Sequence, residues 1–368
     1  MNKTTVNSYS KKKLVLSSLF FIILLGCTFY ILLKNENLFN LLNTIKEMNP
    51  FFISLGLLAV FIYICSEAIN LLIILASLNT KIGFIQALKY AFIGFYFCAI
   101  TPSSSGGQPM QVYYMKKDGI KITKSSLAMV TNLVIYKIVL LLLCAFILIF
   151  NYFNVMQHIN KIWILFIIGI TVHILTVVIL LMSIFYKDKV TKLFFSITNL
   201  LYKLNFIKDK KKWQLKIKTQ VNEFAINAKY IFKKPKLLIQ VAAVTFIQVV
   251  SLYSVPYFVY KAFSLNSYSI FSIISLQAIL RTSISTIPLP GAVGIAEGSF
   301  LLLYKAFFPE QQLTSAMLVS RGISFYSFLI ISCFVTLITH VCISRKQLKR
   351  SKAINLKPVQ KKTNRDAS

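Results

Sequence analysis

The chain has 368 residues, 57% of them hydrophobic, with a formal net charge of +31 and a mean hydropathy of +0.70. That composition leaves too little polar surface for a soluble domain of this size. Uncharged runs of about 20 residues, the length that crosses roughly 30 Å of hydrocarbon, recur along it. The expected fold class is therefore all-α, a polytopic helical membrane protein.

In a soluble protein such a charge would point to nucleic acid. Here most of the lysine lies in the N-terminus, in residues 186–236 and in the tail after Ser344. These are the loops and ends that the positive-inside rule keeps in the cytoplasm. The chain divides accordingly into a basic N-terminus (1–13), a first membrane half (14–185), a basic amphipathic segment (186–236), a second membrane half (237–343) and a basic tail (344–368). Lys far outnumbers Arg, and Ile and Asn are plentiful, which fits an AT-rich bacterial genome. The expected location is a bacterial cytoplasmic membrane, with both termini cytoplasmic.

The six cysteines (Cys27, Cys65, Cys98, Cys144, Cys333, Cys342) lie in or beside apolar runs without CxxC spacing. They read as buried thiols rather than disulfides or ligands. His158, His173 and His340 are scattered. No metal or cofactor is called for, and neither a soluble enzyme's catalytic triad nor a P-loop is visible.

In chain order, Lys11, Lys12 and Lys13 precede an uncharged run from Leu14 to Leu33. It is too long for a signal peptide and lacks a small-residue cleavage site, so a retained first span is expected. A second span, about Phe51 to Leu78, carries Glu67. Gly83 to Cys98 is apolar apart from Lys89 and leads into Thr101–Gln111, TPSSSGGQPMQ, a polar Gly/Pro-rich break. Lys116, Lys117, Lys121 and Lys124 follow. Spans at about 125–150, with Lys137, and 162–185 come next.

Parity then favours one topology. If 83–101 crossed fully, the N-terminus and the lysine-rich segment 186–236 would face opposite sides. If 83–115 enters and returns with its turn at 101–107, the N-terminus, 116–124 and 186–236 share one side. Segment 186–236 holds fourteen Lys against three acidic residues. Apolar residues recur in it at helical spacing, Val190 to Leu204 and Trp213 to Ile231. Two amphipathic helices are expected, lying on the leaflet or packed on the protein's own face.

The second half repeats the theme. A span at about 237–260 precedes an apolar stretch, Ile270–Ile287, that holds Arg281. The break Ile287–Gly294, IPLPGAVG, comes next, then Ile295–Phe308 with Glu297. The last span, about 313–343, holds Arg321. The tail from Arg345 has nine basic residues and one Asp. Whether 270–308 is a re-entrant pair or two short crossings stays open. The count is about six full spans plus two broken or re-entrant helix pairs. On the simplest reading the pairs face opposite sides as an inverted repeat, the arrangement in which transporters place a site near the bilayer midplane.

Charges at mid-span are costly, on the order of 2.5–3.5 kcal/mol each on insertion scales. Glu67, Lys137, Arg281, Glu297 and Arg321 together would line one slightly positive cavity. Arginine clamps phosphate, a carboxylate meets an ammonium, and free N–H groups after each break favour anions. The candidate substrate site adds Ser103, Ser104, Ser105, Gly106, Gly107 and Gln108 from the first break, and Pro290, Gly291 and Gly294 from the second. A zwitterionic or aminoacylated phospholipid headgroup suits that set. The blander readings are snorkelling for Lys89 and Lys305, and internal ion pairs that only fix packing for Glu67, Lys137 and Arg321.

TPSSSGGQPMQ, followed by a span with a mid-membrane Lys, resembles the first Gly/Pro motif of the lysylphosphatidylglycerol synthase transmembrane family. IPLPGAVGIAEGSF resembles its second, a Pro-x-Pro-Gly-Gly-x-Gly-x-x-Glu pattern, with Ala292 where the family commonly has the second Gly. LVSRGISFYSF, around Arg321, resembles its final helix. The likeness covers roughly residues 10–345. Bifunctional members carry a further cytosolic domain that transfers lysine from lysyl-tRNA to phosphatidylglycerol. Here a basic tail of about 25 residues stands in that place, so the expectation is the flippase-like membrane part.

The resemblance implies a translocator of anionic or aminoacylated phospholipid such as lysyl-phosphatidylglycerol, with a role in envelope charge and cationic-peptide resistance. Two alternatives stay open. One is a phosphatidylglycerol lysyltransferase, alone or with a separate synthase, which would take lysyl-tRNA as a partner. The other is a membrane scaffold. Self-association as a homo-oligomer is left open as well.

Overall fold

The start of the first long helix illustrates how local sequence sets the elements. Asn49 accepts a hydrogen bond on Oδ1 from the Phe51 amide at 3.0 Å, and Pro50 occupies the first helical position. Both are preferred there because the first amides of a helix have no intrahelical partner. Helix α1 then runs Pro50–Ser77 and ends before Asn79, which adopts a left-handed φ of 52°.

The computed structural model describes residues 43–151, 162–203 and 210–355, and among these no strand occurs. The expected span Leu14–Leu33, the lysines before it, Cys27, His158 and residues 356–368 of the tail lie outside the described residues.

Helix α2 (Phe84–Ile100) leads through a short 3-10 turn (Pro102–Ser104) into α3 (Gly107–Lys117). Gly119, at a φ of 94°, closes α3: its amide bonds Lys116 O while that of Ile120 bonds Met115 O. This is the reverse-turn ending that favours glycine just past a helix. Then come α4 (Ile122–Phe150), α5 (Trp163–Phe185), α6 (Lys187–Lys203) and α7 (Lys210–Phe232).

Helix α8 (Pro235–Tyr253) passes into α9 (Val255–Ala262), where Pro256 removes a backbone donor. Helix α10 (Ile270–Ile284), a second 3-10 turn (Pro290–Ala292) and α11 (Ile295–Tyr304) follow. Last are α12 (Glu310–Arg321), a π-helical turn (Gly322–Tyr326) and α13 (Ser327–Asn355).

Among the described residues, five stretches are long and apolar enough to cross a bilayer: Pro50–Ser77, Ile122–Phe150, Trp163–Met182, Pro235–Ala262 and Glu310–Ile343. The protein is a multi-pass helical membrane protein. Hydrogen bonds fix which ends lie together. Lys124 Nζ donates to Leu78 O at 2.6 Å and to Thr80 Oγ1 at 3.1 Å, Lys121 pairs with Glu223 at 3.7 Å, and Tyr114 meets His340 at 3.3 Å. The end of α1, the base of α2–α3, the start of α4, helix α7 and the later part of α13 thus share one face. It is the lysine-rich face. On the opposite face the Asn49 amide donates to Ala262 O at 2.9 Å, and Lys305 approaches Glu310 at 3.9 Å.

Both broken pairs are re-entrant hairpins. Asp118, just past α3, bonds Lys89 and Tyr90 near the start of α2. Tyr304, at the end of α11, donates to Gln277 Oε1 at 3.0 Å, midway along α10, and Tyr268, just before α10, donates to Ala306 O at 3.1 Å. Residues 270–308 therefore enter and return on the opposite face rather than crossing twice. Helix α2, with 17 residues, and α10, with 15, fall short of roughly 30 Å at about 1.5 Å per residue. The turns Pro102–Ser104 and Pro290–Ala292 pack against each other.

The amphipathic helices divide the two placements expected of them. Helix α7 buries Ala225, Ala228 and Ile231 and packs on α4 and α5. Helix α6 packs mainly on α7 and leaves Leu193 and Phe194 exposed.

Candidate functional site

The first break is held by uncharged groups. Thr101 Oγ1 accepts the Gly106 amide at 2.9 Å, and Ser103 and Ser104 take left-handed φ values of 50° and 54°. Gly107 lets α3 lie against α2, because a Cβ there would stand 2.3 Å from Cys98 Sγ and 2.9 Å from Gly94 O. Gln111 Nε2 then bonds Tyr90 O at 3.1 Å. Pro102, Ser103, Ser104 and Ser105 remain exposed at the tip, with Gly106 and Gln108 half-buried.

The second break is held by an ion pair. Glu297 and Arg321 are 1% and 4% exposed, and Arg321 Nε donates to Glu297 Oε1 at 2.7 Å. Tyr326 OH donates to the same oxygen at 2.7 Å, while Oε2 accepts the Gly294 amide at 2.7 Å. Arg321 Nη2 donates to Gly291 O at 3.2 Å. The pair thus satisfies one amide and one carbonyl that the broken helix leaves free, in a setting where lipid supplies no such bonds. Gly291 (φ 60°) and Gly294 (φ 86°) take conformations that favour glycine, and Pro290 is buried. A Cβ on Gly291 would meet the Phe325 ring at 2.4 Å, the ring over which the Arg321 guanidinium sits at 4.4 Å. Arg321 Nη1 is buried without a hydrogen-bond partner among the described residues.

Glu67, half-buried on α1, is met by amides. Asn132 Nδ2 donates to both carboxylate oxygens at 3.0 Å, and Gln248 Nε2 donates to Oε2 at 3.0 Å. Gln248 is oriented in turn by Asn70, whose Nδ2 reaches Gln248 Oε1 at 3.4 Å and Thr245 Oγ1 at 3.0 Å. Two amides and no described cation hold this charge.

Lys137 Nζ lies 2.9 Å from His173 Nδ1, and His173 Nε2 lies 3.1 Å from Ser285 Oγ, which donates to Thr282 O at 3.0 Å. With Lys137 as an ammonium, Nδ1 accepts and Nε2 carries the ring proton. Arg281 makes no hydrogen bond or ion pair with a described residue. Tyr253, Tyr136, Tyr63 and Arg321 lie within its electrostatic reach.

The structure brings the sequence-selected charges into one neighbourhood. Cys98, beside the first break, feels both Glu67 and Lys137. Tyr63 and Tyr136 feel both Glu67 and Arg281. Two lysines stand apart. Lys89 closes the base of its hairpin on Asp118, and Lys305 is 71% exposed at the opposite face. Burial alone would raise the Asp118 carboxyl, but the Lys89 and Tyr90 hydrogen bonds hold it below its ordinary value. Asn132, Gln248, His173 and the tyrosines are partners that sequence reasoning missed. The available signal was a polar residue inside an apolar span, which is costly without a partner.

A sequence profile described as the lysylphosphatidylglycerol synthase TM region matches residues 13–332. The chain belongs to that family. Both breaks and all five charges fall inside the matched region, so the family's membrane region contains the whole constellation. No curated protein matches the chain.

Proposed function

We propose that this member of the lysylphosphatidylglycerol synthase TM-region family binds and translocates an anionic or aminoacylated phospholipid, such as lysyl-phosphatidylglycerol. One observation carries the reading. Two guanidiniums within electrostatic reach of each other have donors to spare: Arg321 beside the second tip, with its buried Nη1 unpartnered, and Arg281, without a described partner. Paired guanidiniums with free N–H groups suit a phosphate, which accepts several charge-assisted bonds at once.

The other groups fit the rest of the headgroup. Glu67, capped by amides alone, supplies a counter-charge for an amine. Lys137, on its His173–Ser285 chain, adds a third cation to the set. Three cations against Glu67 and Glu297 leave the set at +1, which favours an anionic headgroup. Glu297 serves here to hold Arg321 and the second break rather than to meet substrate. Opposed hairpins suit alternating access, since each tip can be uncovered from its own face.

The decisive measurement is lipid flipping in reconstituted vesicles, with fluorescent phosphatidylglycerol and its lysylated form. Arg281→Ala is expected to lower transport at least about tenfold, the order of one lost charge-assisted contact. Glu67→Gln should impair the lysylated lipid selectively. Full transport in a folded Arg281→Ala protein refutes this mechanism. Lysyl-lipid made from lysyl-tRNA by the purified chain would favour the transferase reading instead.

A further inference from the structure

We propose that a hollow at the foot of α5 is a second lipid site, one that holds the headgroup of an anionic phospholipid in the leaflet on the lysine-rich face. The hollow encloses about 490 Å3 where α5 ends and α6 and α7 begin. Its lining includes Lys187, Lys189, Lys229, Asp188, Asn222 and Tyr186. None of the three lysines forms an ion pair with a described residue. Three lysines against one aspartate line one space, so it carries a net positive charge that an anion would neutralise.

Position identifies the kind of anion. The apolar stretch of α5 ends at Met182, so the hollow opens a few residues beyond the hydrocarbon, at headgroup depth. Phe185, 50% exposed, and Ile226, 61% exposed, flank the charges with bare apolar surface. A free phosphate makes no use of such surface, whereas acyl chains cover it. Phe185 is also packed on Phe232 with ring centroids 5.9 Å apart, and Lys189 lies over the Tyr186 ring at 5.0 Å. These contacts tie α5, α6 and α7 around the hollow. Each lysine near an anionic leaflet contributes about a fivefold gain in binding, and convergence in one hollow turns that general attraction into a site.

The test uses the full chain carrying Arg281→Ala, which weakens the central anion contact, so that the difference between lysine variants reports this site. Purified protein is titrated with short-chain phosphatidylglycerol, phosphatidylcholine and inorganic phosphate, and retained lipid is counted by native mass spectrometry. Phosphatidylglycerol is expected to bind at least about fivefold more tightly than phosphatidylcholine. That preference should vanish when Lys187, Lys189 and Lys229 are all changed to Gln. It should survive when all three are changed to Arg, which separates charge from folding. Undiminished preference in the Gln variant overturns the proposal, and so does equal displacement by millimolar inorganic phosphate, which would mark a free-anion site.

Discussion

In the hairpin Phe84–Lys117 the polar tip is closed by a threonine hydroxyl and by its own turn, and its serines stay exposed. In the hairpin Ile270–Tyr304 the tip is closed by a buried glutamate–arginine pair that reaches in from α11 and α12. The two hairpins enter from opposite faces and touch at their tips, so they occupy equivalent places with different internal chemistry. An inverted layout evidently does not require equal halves. The uncharged tip keeps Ser103 and Ser104 exposed, while the charged tip spends most of its groups on itself and keeps one arginine nitrogen free. The two halves of the site therefore have separate duties, one rigid and cationic, the other polar and open.

The largest effect that would sharpen this contrast is on stability. Removing one member of a buried pair strands the other, at a cost of about 3–5 kcal/mol. Arg321→Ala should lose that much in thermal or denaturant unfolding, and Glu297→Gln nearly as much. Ser104→Ala, at the other tip, should stay within about 0.5 kcal/mol of the parent. Equal stability of Arg321→Ala and the parent would break the comparison. This is also why Arg281, which forms no hydrogen bond or ion pair with a described residue, is the better functional probe.

Close packing supplies the next effect, on the first hairpin. Gly107→Ala would drive a Cβ into Cys98 Sγ and Gly94 O, and overpacking of this kind costs about 1–3 kcal/mol. The Cys98→Ala double variant should recover part of the loss, since one of the two clashes is with the sulfur and the other is with backbone. No recovery would mean that the backbone contact alone sets the spacing of α2 and α3.

The spans, the two breaks and the five buried charges were legible in the sequence for one reason: lipid penalises polar groups so strongly that exceptions stand out. Their partners were not legible. Asn132 and Gln248, which hold Glu67, lie 65 and 181 positions away from it along the chain. Both are neutral amides in spans that otherwise read as ordinary. Glu297 and Arg321 were visible as two charges, but their union depends on α11 and α12 turning back on one another. Parity placed 116–124 and 186–236 on one side, yet it left 270–308 undecided; the shortness of α10 and α11 and the packing of the two turns against each other decide for a hairpin.

A smaller effect concerns the second tip. Ala292 has a φ of 50°, a region in which a side chain is strained by roughly 1–2 kcal/mol. Glycine relieves that strain but loses more freedom on folding, by about 0.5–1 kcal/mol. Ala292→Gly should therefore gain about 0.5–1 kcal/mol in unfolding measurements. A loss would show that the alanine methyl makes packing contacts worth more than the backbone strain.

The smallest expected effect separates the two hairpin bases by pH. Asp118 closes the first base, and its carboxyl is held below its ordinary value because the Lys89 and Tyr90 hydrogen bonds outweigh burial. A depressed carboxyl contributes stability in full above its unfolded value of about 3.9 and loses it as pH falls through the lower folded value. Asp118→Asn should thus cost a few tenths to about 1 kcal/mol at pH 7, the range of a partly exposed pair. That deficit should shrink towards zero in strong acid. The second base is closed by Tyr304 on Gln277 and by Tyr268 on Ala306 O, with no carboxylate in either bond. Tyr304→Phe should therefore show the same deficit at both pH values. Local hydrogen exchange in each hairpin reads the two cases side by side. An Asp118→Asn deficit that persists or grows in acid would mean that the first base is held by packing rather than by its charge.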